Sequence, residues 1–373
     1  MGLRNVGYNI VKYRYNDVII HEYSKQMGGL LMDIKYLRSE ELEVGMVVAN
    51  DVLNKNLDII LNEGFELTTE VIDKIKYSYS ELKIPVYGEK SDYFSRKRIK
   101  KVEKFIEEMT DRLESAMKKL EVDESTSIKE IENMSYQILD EMKDFKVVFE
   151  TIANSSNVDA KMYRHSVNVS IIASMIGKWM KMSESSILEI SKSAILHDIG
   201  KTRLPEELLD KREYTKEERF LANKHPLLGY EILKNISTLS KEVKDGVLTH
   251  HERNDGSGFP QGIKADKIPL IGKIVAIAEA FDNKVYGMKE SPVKALEELQ
   301  RDLFLGKFDP KCAMAFIRNM AIYYEGEDVV LNTVEVGTII KMNYDELGRP
   351  LIRVGENFYD LSRKRDIVIE KLA

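Results

Sequence analysis

The chain has 373 residues, 43% of them hydrophobic, a formal net charge of −6, one cysteine and six histidines. The hydrophobic fraction supports packed cores and excludes wholesale disorder. A single cysteine excludes a disulfide framework and favours a reducing compartment, so we expect a cytoplasmic protein. No uncharged apolar run approaches the ~18 residues needed to cross a bilayer. The mild acidity disfavours a protein that binds duplex nucleic acid.

The pattern of apolar residues predicts a mainly α protein with five segments. In chain order they are an unassigned N-terminal extension (1–31), a small α+β module (32–90), charged connecting helices (91–150), a domain that is helical nearly throughout (151–325) and a small β appendage (326–373). The module combines short β-rich runs with one helix near 68–75, and the appendage alternates apolar and polar residues.

The connecting helices carry one apolar stripe with a predicted break at residues 125–127. Val102, Ile106, Met109 and Leu113 recur at steps of three and four residues, which is typical of an amphipathic helix. Residues 93–150 are therefore a candidate homodimer interface, and packing within one chain is an equally open interpretation.

Five of the six histidines lie between 165 and 251, and each shares a predicted helix face with apolar residues. Asp282 lies on the apolar stripe that contains Ile274, Ala278 and Phe281. A carboxylate that faces a core must be paired, protonated or bound to a cation, because an unpaired buried charge is very costly. Taken alone, each of these residues is best explained as a satisfied core residue.

The combination of these residues indicates a metal centre. It comprises five imidazoles and two carboxylates: His165, His197, Asp198, His225, His250, His251 and Asp282. Mixed imidazole and carboxylate donors suit Fe, Mn, Zn or Co. Seven donors are too many for one tetrahedral zinc and suit two six-coordinate ions bridged by a carboxylate and a water.

Two sequence motifs resemble those of a known family. Residues 197–201 read His-Asp-Ile-Gly-Lys, which resembles the H-D-x-G-K signature of HD-superfamily phosphohydrolases. Residues 250–260 resemble the H-H-E-x-x-D-G-x-G-Y-P signature of the HD-GYP branch. The runs 163–166 and 224–226 match the other two histidine motifs of that branch in order and spacing. The resemblance covers about 150–325.

This resemblance implies an all-helical catalytic domain and the hydrolysis of cyclic di-GMP to linear pGpG, GMP or both. It places His165, His197, Asp198 and Asp282 on one metal. Asp198 would bridge to a second metal held by His225, His250 and His251. The two divalent ions are expected to be Fe or Mn. Lys161 stands where some members place a glutamate for a third metal, so we expect two.

The resemblance also assigns the residues around the metals. Lys201 would contact a substrate phosphate, or would instead be an ordinary lysine at a helix end. Glu252 would accept a hydrogen bond from a ligand histidine, or would be exposed. The candidate substrate-binding residues are Lys201, Asp255, Gly256, Gly258, Phe259, Pro260 and Lys284, and a plain turn also explains residues 255–258.

Two departures from the family pattern bear on the substrate. Phe259 replaces the signature tyrosine, which removes a hydroxyl worth ~0.5–1.5 kcal/mol if it donates a hydrogen bond. The loop after Asp282 is short and has no arginine; Lys284, Lys289 or Lys294 would substitute without arginine's two-pronged geometry.

Three functions remain open from the sequence. The first is a metal-dependent phosphodiesterase that acts on cyclic di-GMP. The second keeps the metal chemistry and acts on another nucleotide. The third is a metal-loaded sensor of cyclic dinucleotides with little turnover. The complete ligand set favours an enzyme, and the missing arginine favours either alternative.

Overall fold

The structure is a computed structural model that describes residues 10–15, 18–23, 34–53, 59–88, 90–142, 145–154, 161–209, 211, 213–288, 290 and 292–372. The chain divides into two compact units, Met1–Lys101 and Val102–Ala373. A mainly helical protein with small sheets near both termini was expected, and this prediction is confirmed.

In the part of the first unit that the structure describes, three antiparallel strand pairs and a helix precede the long helix that begins at Lys90. The strand pairs are β1 (Ile10–Tyr15) with β2 (Val18–Tyr23), β3 (Ile34–Arg38) with β6 (Lys83–Tyr87), and β4 (Val52–Leu53) with β5 (Ile59–Leu61). Helix α1 (Thr69–Ser78) begins where the Thr68 hydroxyl accepts a hydrogen bond from the Val71 N–H. Val48, Leu67 and Ile84 form the centre of its core.

Three helices follow, and the break between the first two differs from the prediction. They are α2 (Lys90–Lys119), α3 (Glu124–Glu141) and α4 (Phe145–Asn154). The predicted break at residues 125–127 is wrong: these residues form the first turn of α3. The chain breaks just before it because the Asp123 carboxylate accepts a hydrogen bond from the Thr126 N–H and starts the new helix.

The helical region that carries the histidines has nine further α-helices in the described part of the chain. They are α5 (Lys161–Trp179), α6 (Glu184–Leu196), α7 (Glu206–Leu209), α8 (Lys216–Ala222), α9 (His225–Leu233), α10 (Lys241–Thr249), α11 (Leu270–Asp282), α12 (Pro292–Phe304) and α13 (Pro310–Tyr323). Helix α5 packs against α6 and α11, and α10 packs against the same two helices. Four of the seven candidate ligands lie on these helices or at the residues that directly follow them, and His225 begins α9.

The chain ends in a five-stranded antiparallel sheet with strand order β10-β9-β8-β7-β11. Its strands are β7 (Asp328–Leu331), β8 (Val336–Lys341), β9 (Leu351–Val354), β10 (Asn357–Asp360) and β11 (Ile369–Leu372). Val329, Leu331, Ile339 and Ile352 are fully buried, which agrees with the predicted alternation. Strand β10 was not predicted.

No helix among the described residues is long and apolar enough to cross a membrane.

Candidate metal centre

The candidate ligands lie at or near helix ends. His165 lies in the second turn of α5, His197 and Asp198 follow α6, His225 begins α9, His250 and His251 follow α10, and Asp282 ends α11. Helix ends bring polar side chains from different helices to one point while the apolar faces pack. All seven side chains are almost or fully buried, and His251 is the most exposed, with 14% of its side chain accessible.

A glycine allows two of these helix ends to meet. Gly200 lies in a short 3₁₀ helix, Ile199–Arg203, that packs on the start of α9. A Cβ atom at Gly200 would lie 1.9 Å from the carbonyl oxygen of His225 and 2.5 Å from the Gly229 nitrogen. Only glycine permits this approach, which places His197 and Asp198 beside His225.

His165, His197 and Asp198 form the first cluster, and Asp282 adjoins it. The Asp198 Oδ2 lies 3.4 Å from the His197 Nε2 and 3.9 Å from the His165 Nε2. The Asp282 Oδ2 lies 2.6 Å from the His165 Nδ1. Asp282 therefore contacts a cluster residue directly, and its assignment as a metal ligand stays a prediction.

His225, His250 and His251 form the second cluster. The His225 Nε2 lies 3.1 Å from the Nε2 of His250 and 3.1 Å from the Nε2 of His251. Three Nε2 atoms from different positions in the chain therefore converge on one small volume.

Asp198 joins the two clusters. Its Oδ2 faces His197 and His165, while its Oδ1 lies 3.3 Å from the His225 Nε2. One carboxylate thus directs an oxygen to each cluster, which is the geometry that a ligand shared by two metal ions requires.

The backbone fixes the orientation of three of the imidazoles. The Nδ1 atoms of His197, His225 and His250 lie 2.7 Å from the carbonyl oxygens of Ala194, Ala222 and Val247, respectively. Each carbonyl belongs to the residue three positions earlier. A carbonyl can only accept, so we assign the proton to Nδ1, which leaves the lone pair of each Nε2 directed at the clusters.

The donor set fits divalent cations. Within the described part of the chain, the buried His197 Nε2 and Asp282 Oδ1 have no partner in hydrogen-bonding geometry. Buried polar atoms without partners are costly, and imidazole lone pairs that face one another repel. Cations bound between them would relieve both costs.

The protonation states of the two clusters differ. Burial lowers the pKa of His225 to about 4 and also lowers the pKa values of His250 and His251 well below their usual range. Burial by itself lowers the pKa of His165 too, but the bond to Asp282 and its charge outweigh this effect and raise that pKa. The second cluster is therefore neutral, whereas a proton on His165 is favoured.

Lys201 binds Asp198. Its Nζ lies 2.5 Å from the Asp198 Oδ2, and 32% of the lysine side chain remains accessible. Burial by itself raises the pKa of Asp198, but its interactions with His197 and Lys201 outweigh burial and hold the pKa well below its usual range. Lys201 therefore adds a positive charge at the junction of the two clusters.

The predicted substrate loop packs against the second cluster. The Phe259 ring stacks on the His251 ring with centroids 4.3 Å apart, and the Phe259–Pro260 peptide bond is cis. The Asp255 carboxylate accepts hydrogen bonds from the Ser257 N–H and hydroxyl, so it stabilises a turn.

Two glycines make this turn possible. Gly256 has a φ of +86°, and a Cβ atom at Gly258 would lie 2.5 Å from backbone atoms of residues 251–253. The turn interpretation of 255–258 therefore has structural support, and contact with substrate stays a prediction.

Glu252 and Lys284 have other partners than the sequence predicted. Glu252 is neither exposed nor bonded to a ligand histidine: it is buried, and its carboxylate accepts hydrogen bonds from the N–H groups of residues 261–263. Lys284 forms an ion pair with Glu298 of α12. The Glu252 hydrogen bonds hold the loop in place. The ion pair with Glu298 neutralises the Lys284 charge, which was expected to replace that of an arginine. The Lys161 side chain and Lys289 lie outside the described residues.

Sequence reasoning missed two buried charged groups near the ligands. Arg164, which is 2% exposed, donates to both carboxylate oxygens of Glu103 on α2 at 3.1 and 3.0 Å, and so anchors the turn that carries His165. Glu279, one turn before Asp282, is buried beside His251. A second acid in the apolar run 274–281 was the signal that could have identified it.

Comparisons with known proteins agree with this centre. Residues 147–312 match the family model described as "HD domain". The chain is 35% identical over 198 residues to a "Cyclic di-GMP phosphodiesterase" of Thermotoga maritima, covering 50% of this chain and 53% of that protein. It is 28% identical over 201 residues to another protein of that name from Pseudomonas aeruginosa, covering 52% and 48%. The chain thus spans about half the length of these curated relatives.

A solved structure supports the fold. An HDG"Y"P protein from Bdellovibrio bacteriovorus superposes with a TM-score of 0.52 at 17% identity, covering 77% of this chain and 99% of that one. The family model and the curated relatives confirm the resemblance that the histidine motifs predicted.

Proposed function

Since residues 147–312 match the model of the HD domain family, we propose that the protein is a metal-dependent phosphodiesterase that hydrolyses cyclic di-GMP to pGpG, GMP or both. The observation that carries this proposal is Asp198, which directs one oxygen to each of two converging clusters of histidine donors. The names of the curated relatives support the substrate.

Two divalent ions, Fe or Mn, would be held by seven residues. His165, His197 and Asp282 would hold the first ion, His225, His250 and His251 the second, and Asp198 both. When bound, such a pair lowers the pKa of a water and neutralises charge on the phosphate oxygens. Imidazoles oriented by backbone carbonyls need little rearrangement to bind metal.

The chain itself contributes charge and shape. The Lys201 ammonium group forms an ion pair with Asp198, and about a third of the lysine side chain is accessible. It can therefore contact a phosphoryl oxygen of the substrate. The loop of Asp255, Gly256, Gly258, Phe259 and Pro260 would form a wall of the substrate site. The ring of Phe259 covers one face of His251 and excludes water there.

A second candidate is hydrolysis of another cyclic dinucleotide. The ion pair between Lys284 and Glu298 favours it, because this lysine was the nearest replacement for an arginine in the loop after Asp282. A relative named "3'3'-cGAMP-specific phosphodiesterase 2" from Vibrio cholerae, 32% identical over 154 residues, supports the same alternative. A sensor with little turnover is the remaining alternative.

A hydrolysis assay separates these functions. Anaerobically purified protein, loaded with Mn(II) or Fe(II), would be tested on cyclic di-GMP, 3'3'-cGAMP and cyclic di-AMP, with Asp198→Ala as the control. Rapid loss of cyclic di-GMP in the wild type alone supports the main proposal. Preference for another cyclic dinucleotide supports the second function, and tight binding without turnover supports the sensor.

Metal analysis of the same samples tests the centre. About two equivalents per chain are expected from the two clusters, and their absence would overturn all three functions. A homodimer through residues 93–150, a cytoplasmic location and the five segment boundaries stay predictions.

A further inference from the structure

His251 is oriented differently from the other two histidines of its cluster. The Nδ1 atoms of His225 and His250 lie against backbone carbonyls at 2.7 Å. The His251 Nδ1 instead faces a side chain, the Glu279 Oε2, at 3.5 Å. The third imidazole of the second cluster thus depends on a carboxylate where its neighbours depend on the backbone.

Glu279 has one satisfied and one unsatisfied oxygen. Its Oε1 accepts a hydrogen bond from the Asn283 Nδ2 at 2.8 Å. Its Oε2 is buried and has no partner in hydrogen-bonding geometry among the described residues. A buried carboxylate oxygen needs a donor, and the His251 Nδ1 lies on its open side.

The two requirements are complementary. His251 can bind a cation through Nε2 only if its proton is on Nδ1, and an Nδ1–H group is the donor that Glu279 Oε2 lacks. Withdrawal of electron density by a cation at Nε2 makes the Nδ1–H a stronger donor, so metal binding would tighten this contact.

We infer that Glu279 is a positioning residue that holds the His251 ring with its Nε2 directed at the second metal position. This inference rests on the metal centre of the proposed function. It adds a residue that orients the one histidine of the second cluster without a backbone carbonyl at its Nδ1. Helix α11 then serves both clusters, through Asp282 at its end and Glu279 one turn earlier.

The test is a titration of the full-length, metal-free protein with Mn(II), following metal bound per chain and free Mn(II) by electron paramagnetic resonance. Glu279→Gln should weaken the binding of the second Mn(II) equivalent roughly 10- to 100-fold and leave the binding of the first unchanged. Glu279→Met, which has no acceptor oxygen, should weaken it more, and Glu279→Asp should restore part of the affinity.

The matched control is Glu189→Gln. Glu189 is a partly buried glutamate on α6 that binds Lys192 and the Ser240 hydroxyl, about 12 Å along the helix from His197. This variant should bind both equivalents as the wild type does.

A double mutant separates positioning from a structural role. In the His251→Ala background, Glu279→Gln should weaken metal binding no further, because the ring that it positions is gone. Additive losses, equal weakening of both equivalents, or wild-type binding by Glu279→Gln would each overturn the inference. If the wild type binds no second equivalent, the proposed centre fails together with it.

Discussion

The two clusters of the candidate metal centre differ in their carboxylates and in the protonation of their histidines. The first contains two carboxylates near its histidines, and the proton favoured on His165 is balanced by Asp282. The second contains three neutral imidazoles, with the His225 Nε2 lying 3.1 Å from the Nε2 atoms of His250 and His251, while Glu279 faces the His251 Nδ1. The first pairs a protonated imidazole with a carboxylate, whereas the second has Asp198 at the His225 Nε2 and Glu279 at the His251 Nδ1, beside neutral rings whose Nε2 lone pairs face one another. A bound cation therefore matters most to the second.

The largest expected effect comes from the residue that the clusters share. Asp198→Asn removes the charge from both positions and weakens an ion pair with Lys201. Because metal activation supplies several kcal/mol to phosphoester hydrolysis, we expect activity to fall roughly 1,000-fold or more. Both metal equivalents should weaken together in equilibrium dialysis. Loss of only one would show that Asp198 does not bridge.

A smaller effect should distinguish the two clusters from each other. His165→Ala should lower bound metal from two equivalents to one and leave the second cluster occupied, and His225→Ala should do the reverse. Each cluster keeps at least two histidine or carboxylate donors in these variants. Metal content after desalting, measured beside activity, tests this pairing. If either variant loses both ions, the clusters form a single cooperative site.

The pH dependence of the metal-free protein should report the second cluster. The folded-state pKa of His225 is lowered from 6.5 to about 4, so the unfolded chain binds more protons between these values. Its contribution to stability is therefore present above about pH 6.5 and is lost as the pH falls toward 4. The shift corresponds to about 3 kcal/mol.

Denaturant unfolding in a chelator measures this slope. His225→Asn should flatten the fall in the free energy of unfolding between pH 6.5 and 4. His165→Asn should leave this slope in place, because the raised pKa of His165 gives stability that is lost as the pH rises. Equal slopes in the wild type and His225→Asn would contradict the neutral state assigned to the second cluster.

The smallest effect is expected at the stacked ring. Phe259→Tyr keeps the contact with His251 and restores the hydroxyl of the family signature. If that hydroxyl contacts substrate, KM should fall by a factor of roughly 2 to 10, equivalent to ~0.5–1.5 kcal/mol, with little change in kcat. An unchanged KM would show that the ring at position 259 acts through its contact with His251 and that a hydroxyl there does not contact substrate.

The sequence itself indicated the family resemblance, the fold class and the candidate ligands. Apolar periodicity indicated which segments are helical, and four histidine motifs in order indicated the resemblance. Local chemistry determines such features, because ligand types and helix faces repeat at short spacings. The position of Asp282 on an apolar stripe was informative for the same reason, since a buried carboxylate needs a partner.

Only the tertiary structure decided which groups partner one another. Glu252 binds the backbone of residues 261–263, Lys284 binds Glu298, and Glu279 approaches His251 from another helix. The two metal positions with Asp198 between them were implied by the resemblance, and the packing of α9 against Gly200 brings His225 to Asp198. These contacts join residues far apart in the chain, and no local pattern encodes which distant donor reaches a given acceptor.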